Sequence, residues 1–199
     1  VRAGARAVVW PEYSLPLYPR QRSEYGERFM QFAREAAPLI GGFTDRRSRD
    51  EIYNAVFLFD GREMQQYNKV HLAPFGEYIP FRPLFFFVRR ITDEISDFTP
   101  GQGPVPLRLL DQAVGLPICY EAIFPGLVRR FVNQGAELLI VTSNDSWYTG
   151  GKAHRHAHEE DLRRLDALAL DMQEIAVVQR LQAEVAEQLV ALRLQRGAQ

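Results

Sequence analysis

The first 150 residues alternate short apolar runs with two stretches of helical amphipathic spacing. The apolar runs are four to eight residues long and end at prolines, glycines or polar residues, which predicts buried strands. They lie at 7–12, 39–43, 53–59, 63–68, 107–110, 113–118 and 137–142. The amphipathic stretches, about 23–37 and 125–134, predict helices, the second opened by a proline and closed by Gly135. The alternation of strands and helices indicates an α/β fold.

Three finer expectations follow from this pattern. Asp60-Gly61, between two predicted strands, indicates a tight hairpin turn with positive φ at both positions. In the first predicted helix, Phe29 and Phe32 share the apolar face and should be buried together. The charged stretch 45–51 predicts a solvated loop without a functional role.

From about residue 153 the character of the chain changes. Glycine and proline vanish until Gly197, while leucines, alanines and valines recur at roughly helical spacing among charges of both signs. We therefore predict an α/β domain over 1–150, followed by a divergent amphipathic helical tail over 151–199.

Composition excludes several classes of protein. Hydrophobic residues make up 46% of the 199 and charged residues 25%, an ordinary globular balance. The formal net charge of −1 gives no reason to expect nucleic acid as a partner. The lone cysteine, Cys119, excludes an internal disulfide and a multi-cysteine metal site. No apolar run approaches the roughly eighteen residues of a membrane span.

Cys119 is the first candidate for chemistry. It follows a short apolar strand and precedes Glu121 and a predicted helix. A thiol that faces the positive end of a helix can have a lowered pKa, and the thiolate is the nucleophilic form. On local context alone, the residue could equally be a small buried hydrophobe.

Three further charged residues accompany this thiol and suggest a chemical set. Glu12 stands just beyond the end of a predicted strand, where open α/β sheets place their chemistry. Lys69 and Glu77 lie on a segment that proline and glycine constrain. Each residue by itself could be a solvated surface charge. Together, a carboxylate that accepts the thiol proton, an ammonium that stabilises an oxyanion and a thiol nucleophile suit acyl transfer through a thioester.

Four motifs give this set a family resemblance. They are VWPE at 9–12, YNKVHLAPFGEYIP at 67–80, ICYE at 118–121 and SNDSW at 143–147. The order Glu, Lys, Cys resembles the carbon–nitrogen hydrolase (nitrilase) superfamily. The long lysine motif narrows the resemblance to the apolipoprotein N-acyltransferases within it, over about residues 1–150.

The resemblance implies a nitrilase-like four-layer αββα sandwich with the site at the strand ends, incomplete in this chain. It implies Glu12 as general base, Lys69 as electrostatic stabiliser and Cys119 as nucleophile. The supporting residues that it implies are Glu77, which orients the lysine and the leaving group, Tyr120 and Glu121 beside the nucleophile, and Trp147 near an acyl pocket.

The implied reaction is ping-pong, with no metal or organic cofactor. Cys119 takes an acyl chain from a phospholipid, and the N-terminal diacylglyceryl-cysteine of a lipoprotein receives it as an amide. The implied location is the periplasmic side of the bacterial inner membrane. The apolar cluster Leu84, Phe85, Phe86 and Phe87, followed by two arginines, could meet the membrane surface there. It could equally form a core helix or a lid.

Departures from the family set two more expectations. The family begins with a bundle of transmembrane helices, and its pattern after Trp147 is lost here. We therefore expect a fragment that lacks acyltransferase activity by itself. A soluble nitrilase-like amidase, with the same chemistry delivered to water, is the first alternative. A non-catalytic remnant whose C-terminal helix serves association is the second.

Overall fold

The computed structural model describes residues 6–21, 23–35, 38–80 and 97–144, and the backbone of two strands in the last third of the chain. The elements in chain order are β1 (Ala7–Val9), α1 (Glu24–Glu35), β2 (Leu39–Arg46), β3 (Ile52–Phe59), β4 (Met64–Asn68), β5 (Leu107–Leu109), β6 (Gln112–Gly115), a 3-10 helix (Cys119–Ile123), α2 (Pro125–Asn133), β7 (Leu138–Asn144), β8 (Glu174–Arg180) and β9 (Val190–Leu192).

The first sheet has the strand order β4-β3-β2-β1-β9. Strands β1 and β2 are parallel, and the other neighbours are antiparallel. Helix α1 covers one face of this sheet with Phe29, whose ring contacts Phe43 at 5.2 Å and Phe59 at 5.4 Å between centroids. Because side chains alternate along a strand, Val56 and Leu58 face the opposite side, toward the second sheet.

The second sheet has the order β5-β6-β7-β8, with β6, β7 and β8 parallel. Its apolar side chains form one core with those of the first sheet, and that core also takes in Val128 and Phe131 of α2. Gly115 lets this helix approach, since a Cβ there would lie 3.0 Å from Phe131 Cβ. The result is the expected α/β fold, an αββα sandwich.

Most predicted elements of the first 144 residues are confirmed, and two of the local differences concern the Asp60-Gly61 turn and Phe32. Gly61 has a φ of 90°, but Asp60 keeps a negative φ, so the turn is not the symmetric type that we expected. Asp60 Oδ1 instead accepts the backbone N–H groups of Arg62 and Glu63. Phe32 is 50% exposed rather than buried, because it lies at the margin of the apolar face and stacks on Trp10.

The prediction that 45–51 is a solvated loop is wrong at its first residue. Asp45 lies on β2 and is fully buried. Its Oδ2 accepts hydrogen bonds from Arg47 Nε at 2.9 Å and Gln66 Nε2 at 2.8 Å. Strand pairing with β3 extends β2 three residues beyond the end of the apolar run, and the Arg47 side chain compensates the buried charge of Asp45.

The predicted helical tail is corrected at two places. Strand β8 pairs in parallel with β7, and β9 pairs antiparallel with β1, so both described parts of the tail extend the sheets. Spacing that suits a helix also admits a strand when β-branched residues such as Ile175 and Val177 meet a strand edge that needs a hydrogen-bonding partner. The rest of 151–199 lies outside the described residues. Where the structure is described, none of its helices has the length and apolarity of a membrane span.

Candidate active site

Glu12 is held at the carboxyl end of β1 by the neighbouring strand. The N–H of Gly42 on β2 donates to Pro11 O at 3.2 Å, and the N–H of Ser14 donates to Gly42 O at 3.0 Å. Position 42 requires glycine, because a Cβ there would lie 2.5 Å from Glu12 Cα. This close approach buries the Glu12 side chain, which has 4% of its surface exposed.

Lys69 follows β4 directly, and hydrogen bonds hold both its backbone N–H and its backbone carbonyl. Its N–H donates to Asn54 O at 2.9 Å, and its carbonyl accepts the N–H of Gly101 at 2.7 Å. The side chain is 2% exposed, and its Nζ lies 3.4 Å from Glu12 Oε1 and 2.9 Å from Glu77 Oε2. One buried ammonium is therefore shared by two buried carboxylates.

Neutral donors complete the environment of both carboxylates. Asn54 Nδ2 donates to Glu12 Oε1 at 2.6 Å and to Glu77 Oε1 at 2.5 Å. The backbone N–H of Ala73 donates to Glu77 Oε2 at 2.7 Å. The backbone N–H of Asn144, at the end of β7, donates to Glu12 Oε2 at 3.0 Å. The hydrogen bond from Asn144 to Glu12 therefore links the carboxyl end of β7, in the second sheet, to the carboxyl end of β1, in the first.

Burial and charge act on these groups in opposite directions. Burial raises the pKa of Glu12, and the Lys69 charge and the Asn54 hydrogen bond partly offset that rise. For Lys69, burial acts to lower the pKa, but the negative charges of Glu12, Glu77 and Cys119 outweigh it and leave the pKa raised. The site thus combines a permanent cation with a carboxylate whose proton affinity is increased.

Cys119 begins the 3-10 helix with a backbone that few side chains adopt. Its φ is 48°, in the left-handed region, and the preceding Ile118 forms a parallel bridge with Thr142 of β7. The predicted helix is confirmed, since α2 starts at Pro125, and a 3-10 turn that the sequence did not predict lies between it and the preceding strand end. The effect of the Cys119 charge on the pKa of Lys69 puts the thiol within electrostatic reach of the ammonium. Strained turns of this kind concentrate at functional sites.

Glu121 ties the cysteine turn to the lysine segment. Its Oε1 accepts the Tyr67 hydroxyl at 2.8 Å and the N–H groups of Val70 and His71 at 2.7 and 3.0 Å. Its Oε2 accepts the N–H of Ile118 at 2.9 Å. Burial raises the pKa of this carboxyl, and the three backbone N–H groups oppose the rise. Glu121 is a structural brace between two segments that carry candidate catalytic residues.

Tyr13 is a member of the site that the sequence analysis missed. It follows Glu12 directly, has a φ of 51°, and its hydroxyl lies 3.4 Å from Glu77 Oε1. Burial, reinforced by the negative charge of Glu12, raises the pKa of its phenol. The sign of this role in the sequence was that a bulky residue immediately follows a carboxylate at the end of a predicted strand.

The structure thus brings Glu12, Lys69 and Glu77 into contact, with Cys119 in electrostatic range. Tyr120 is half-buried, and its ring packs against Phe124 at 5.0 Å between centroids. The remaining predicted site residues, Trp147, Leu84, Phe85, Phe86 and Phe87, lie outside the described residues.

Comparison with known proteins identifies relatives at two levels. The family model described as carbon–nitrogen hydrolase matches residues 1–183. The chain is 35% identical to the apolipoprotein N-acyltransferase of Geobacter metallireducens over 147 residues, 71% of the chain and 28% of that protein. It is 38% identical to the apolipoprotein N-acyltransferase of Nitrosomonas europaea over 149 residues, 72% of the chain and 30% of that protein. The chain therefore spans less than a third of the length of these two relatives.

Solved structures share the fold at lower identity. A carbon–nitrogen hydrolase from Helicobacter pylori superposes with a TM-score of 0.66 at 20% identity, over 90% of the chain and 62% of that protein. An amidase from Nesterenkonia, which carries acrylamide added at its active site cysteine, has a TM-score of 0.62 at 22% identity, over 89% of the chain and 66% of that protein.

Proposed function

This chain belongs to the carbon–nitrogen hydrolase family, and from that premise we propose that it performs N-acyl transfer through a thioester on Cys119. The acyl donor is a phospholipid, and the acceptor is the N-terminal diacylglyceryl-cysteine of a lipoprotein. The single observation that carries the chemistry is the buried ammonium of Lys69 in contact with Glu12 and Glu77, within electrostatic reach of the thiol. The similarity to apolipoprotein N-acyltransferases supports the choice of substrates.

In the first half-reaction, Glu12 removes the proton from the Cys119 thiol. The sulfur attacks the ester carbonyl of the donor, and the negative charge that develops on the carbonyl oxygen is stabilised by the Lys69 ammonium. The C–O bond then breaks, and Glu12 returns its proton to the departing lysophospholipid oxygen. The raised pKa of Glu12 suits this double role, because the carboxyl must hold a proton briefly at neutral pH.

In the second half-reaction, the amine of the acceptor attacks the thioester carbonyl. Glu12 takes a proton from the attacking nitrogen, the C–S bond breaks, and the sulfur leaves as a thiolate beside Lys69. The same machinery would hydrolyse the thioester if water were the acceptor. Whether the site keeps water away from the thioester therefore decides between N-acyl transfer and amidase activity.

Membrane contact completes the proposal. The cluster Leu84, Phe85, Phe86 and Phe87, followed by Arg89 and Arg90, suits insertion beside anionic headgroups on the periplasmic side of the inner membrane. Trp147 would line the acyl pocket. Replacing the three phenylalanines by serine should weaken co-sedimentation with anionic phospholipid vesicles, and unchanged co-sedimentation would remove this part of the proposal.

The test of the chemistry is mass spectrometry of the chain after incubation with phospholipid vesicles. A parallel incubation uses a short activated ester, which needs less precise placement. Both incubations are also carried out on the longer protein, where we expect an acyl adduct on Cys119 with both donors and almost none in Cys119→Ser, because a hydroxyl is far harder to ionise than a thiol. The chain by itself, as a fragment, should form the adduct with the activated ester only.

The two donors separate the alternatives. In the longer protein, an adduct from the activated ester but not from phospholipid, with rapid release to water, would favour the amidase. No adduct from either donor in a folded chain would favour a non-catalytic remnant. Because the chain spans under a third of its relatives, complete transfer to a lipoprotein peptide is tested in the longer protein.

A further inference from the structure

Asn54 occupies the centre of the site, although no motif in the sequence singles it out. It lies on β3, is fully buried, and donates from one nitrogen to Glu12 Oε1 and Glu77 Oε1. Lys69 Nζ approaches the same two oxygens, at 3.4 and 3.0 Å. These two carboxylate oxygens are therefore held between an ammonium on one side and an amide on the other.

The charges fix the orientation of this amide. If the group were rotated by half a turn, its carbonyl oxygen would meet two carboxylate oxygens with no proton between them. The nitrogen must therefore face the carboxylates, where both of its hydrogens are used. The consequence appears on the other side of the amide, since Asn54 Oδ1 is buried without a hydrogen-bond partner among the described residues.

An unpaired buried carbonyl oxygen is unfavourable, so packing alone does not explain this asparagine. The charges of the neighbouring side chains explain why an asparagine stands here. Glu12 and Glu77 carry two negative charges against the single positive charge of Lys69. Hydrogen bonds from a neutral group stabilise the ionised carboxylates without adding a charge that would compete with the lysine.

The two oxygens of Glu12 are consequently not equivalent. Oε1 receives Asn54 and Lys69, whereas Oε2 receives the backbone N–H of Asn144. A carboxylate oxygen offers about two lone-pair positions, so Oε1 is occupied and Oε2 retains one.

We propose that Asn54 is a positioning residue, which holds Oε1 of both carboxylates and leaves Oε2 of Glu12 as the atom that exchanges protons with Cys119. In that step the S–H bond breaks, its electron pair stays on sulfur, and an O–H bond forms at Oε2. The inference rests on the proposed roles of Glu12 and Cys119, but not on the identity of the acyl donor or acceptor.

The test compares Asn54→Asp and Asn54→Leu with the control Asn68→Asp. Asn68 is a half-buried asparagine at the end of β4, and its Oδ1 contacts Gln66 instead of the two glutamates. In the folded chain, the carboxyl carbon of Glu12 is titrated by ¹³C NMR and assigned by its loss in Glu12→Gln. Both Asn54 variants should raise the titration midpoint of Glu12, because the ionised form loses a donor. The aspartate variant adds a like charge and should raise it by about one pH unit or more.

A second readout follows the thiol itself. The pH dependence of Cys119 alkylation by iodoacetamide should move to higher pH in Asn54→Asp, since a third carboxylate disfavours the thiolate. The control should leave both midpoints at their wild-type values. If the aspartate variant does not fold, the leucine variant decides through the Glu12 titration.

The inference would be overturned by variants that lower thermal stability but leave the Glu12 midpoint unchanged, because asparagine would then be only structural. Neither readout uses phospholipid or ester. A shifted midpoint without acyl adduct would therefore uphold the role of Asn54 while the proposed function failed.

Discussion

Glu121 and the pair formed by Glu12 and Glu77 are all buried, but their charges are compensated in different ways. Glu121 receives three backbone N–H groups and the Tyr67 hydroxyl. The pair shares the ammonium of Lys69 and the amide of Asn54. The first centre is compensated only by neutral donors, most of them backbone N–H groups, whereas the second combines a side-chain cation with neutral donors.

This difference in charge compensation distinguishes a carboxylate suited to a structural role from one suited to proton transfer. Protonation of Glu121 would weaken hydrogen bonds that join the lysine segment to the cysteine turn. Protonation of Glu12 leaves the Lys69 ammonium paired with Glu77, so the site can hold a proton without coming apart. A buried carboxylate braced by backbone donors is therefore a support, whereas one that shares a cation with a second carboxylate can exchange protons during a reaction.

The largest effect should come from Glu12→Gln. Loss of the general base should slow acylation of Cys119 by a factor of about 10² to 10⁴, while the protein loses less stability than in Lys69→Met because the ammonium stays paired with Glu77. Stopped-flow acylation with an activated ester measures the rate. A wild-type rate in this variant would end the distinction between the two centres.

Lys69→Met tests the dependence of the pair on its cation. Two buried carboxylates without a positive partner should cost about 3–5 kcal/mol of the free energy of unfolding. Urea unfolding at neutral pH measures this loss. Arg6→Met is the control, because the ion pair between Arg6 and Asp111 spans 3.8 Å at the surface and should contribute less than about 1 kcal/mol. Equal losses in the two variants would contradict the assigned burial of charge.

Glu121→Gln probes the brace. Glutamine presents an NH₂ group to donors that require an acceptor, so we expect a loss of about 1–3 kcal/mol in the free energy of unfolding. The same urea experiment measures it, and Glu137→Gln, on an exposed residue that bonds Ala113, serves as comparison. If stability were unchanged while the pH profile of the reaction was altered, Glu121 would have to be assigned a role in the reaction instead of a structural one.

The smallest effect concerns pH. Burial raises the pKa of Glu12, so the folded state binds its proton more tightly than the unfolded chain does. Its contribution to stability is therefore fully present below the unfolded pKa of about 4.3 and is lost as pH rises through the folded pKa. The stability of wild type minus that of Glu12→Gln should decline over this window in urea unfolding at a series of pH values. A difference that grows with pH would reverse the sign and refute the assignment.

Lys69 should affect the pH dependence of stability at alkaline pH with the same sign. Its pKa is raised by the neighbouring negative charges despite burial, so its contribution holds below the unfolded value of about 10.4 and is lost as pH rises through the folded pKa.

Local patterns were sufficient for most of the fold. Apolar runs located the strands of both sheets up to residue 144, and the proline and glycine that bound α2 located that helix. They failed where a neighbouring strand decided the outcome. Asp45 is carried into the sheet by pairing with Tyr53, and Glu174–Arg180 forms a strand along the edge of β7.

The sequence by itself determined which residues are candidates for the chemistry, because Glu12, Lys69 and Cys119 each occupy a motif that proline, glycine or a strand end marks out. Only the tertiary structure decided how they are used. Asn54 reaches Glu12 across 42 residues of chain, and the N–H of Asn144 reaches it across 132. Hydrogen bonds form over about 3 Å wherever strands converge, regardless of sequence separation. The difference between a carboxylate pair that shares one ammonium and a carboxylate braced by backbone N–H groups is therefore set by the packing of two sheets, which no local sequence pattern predicts.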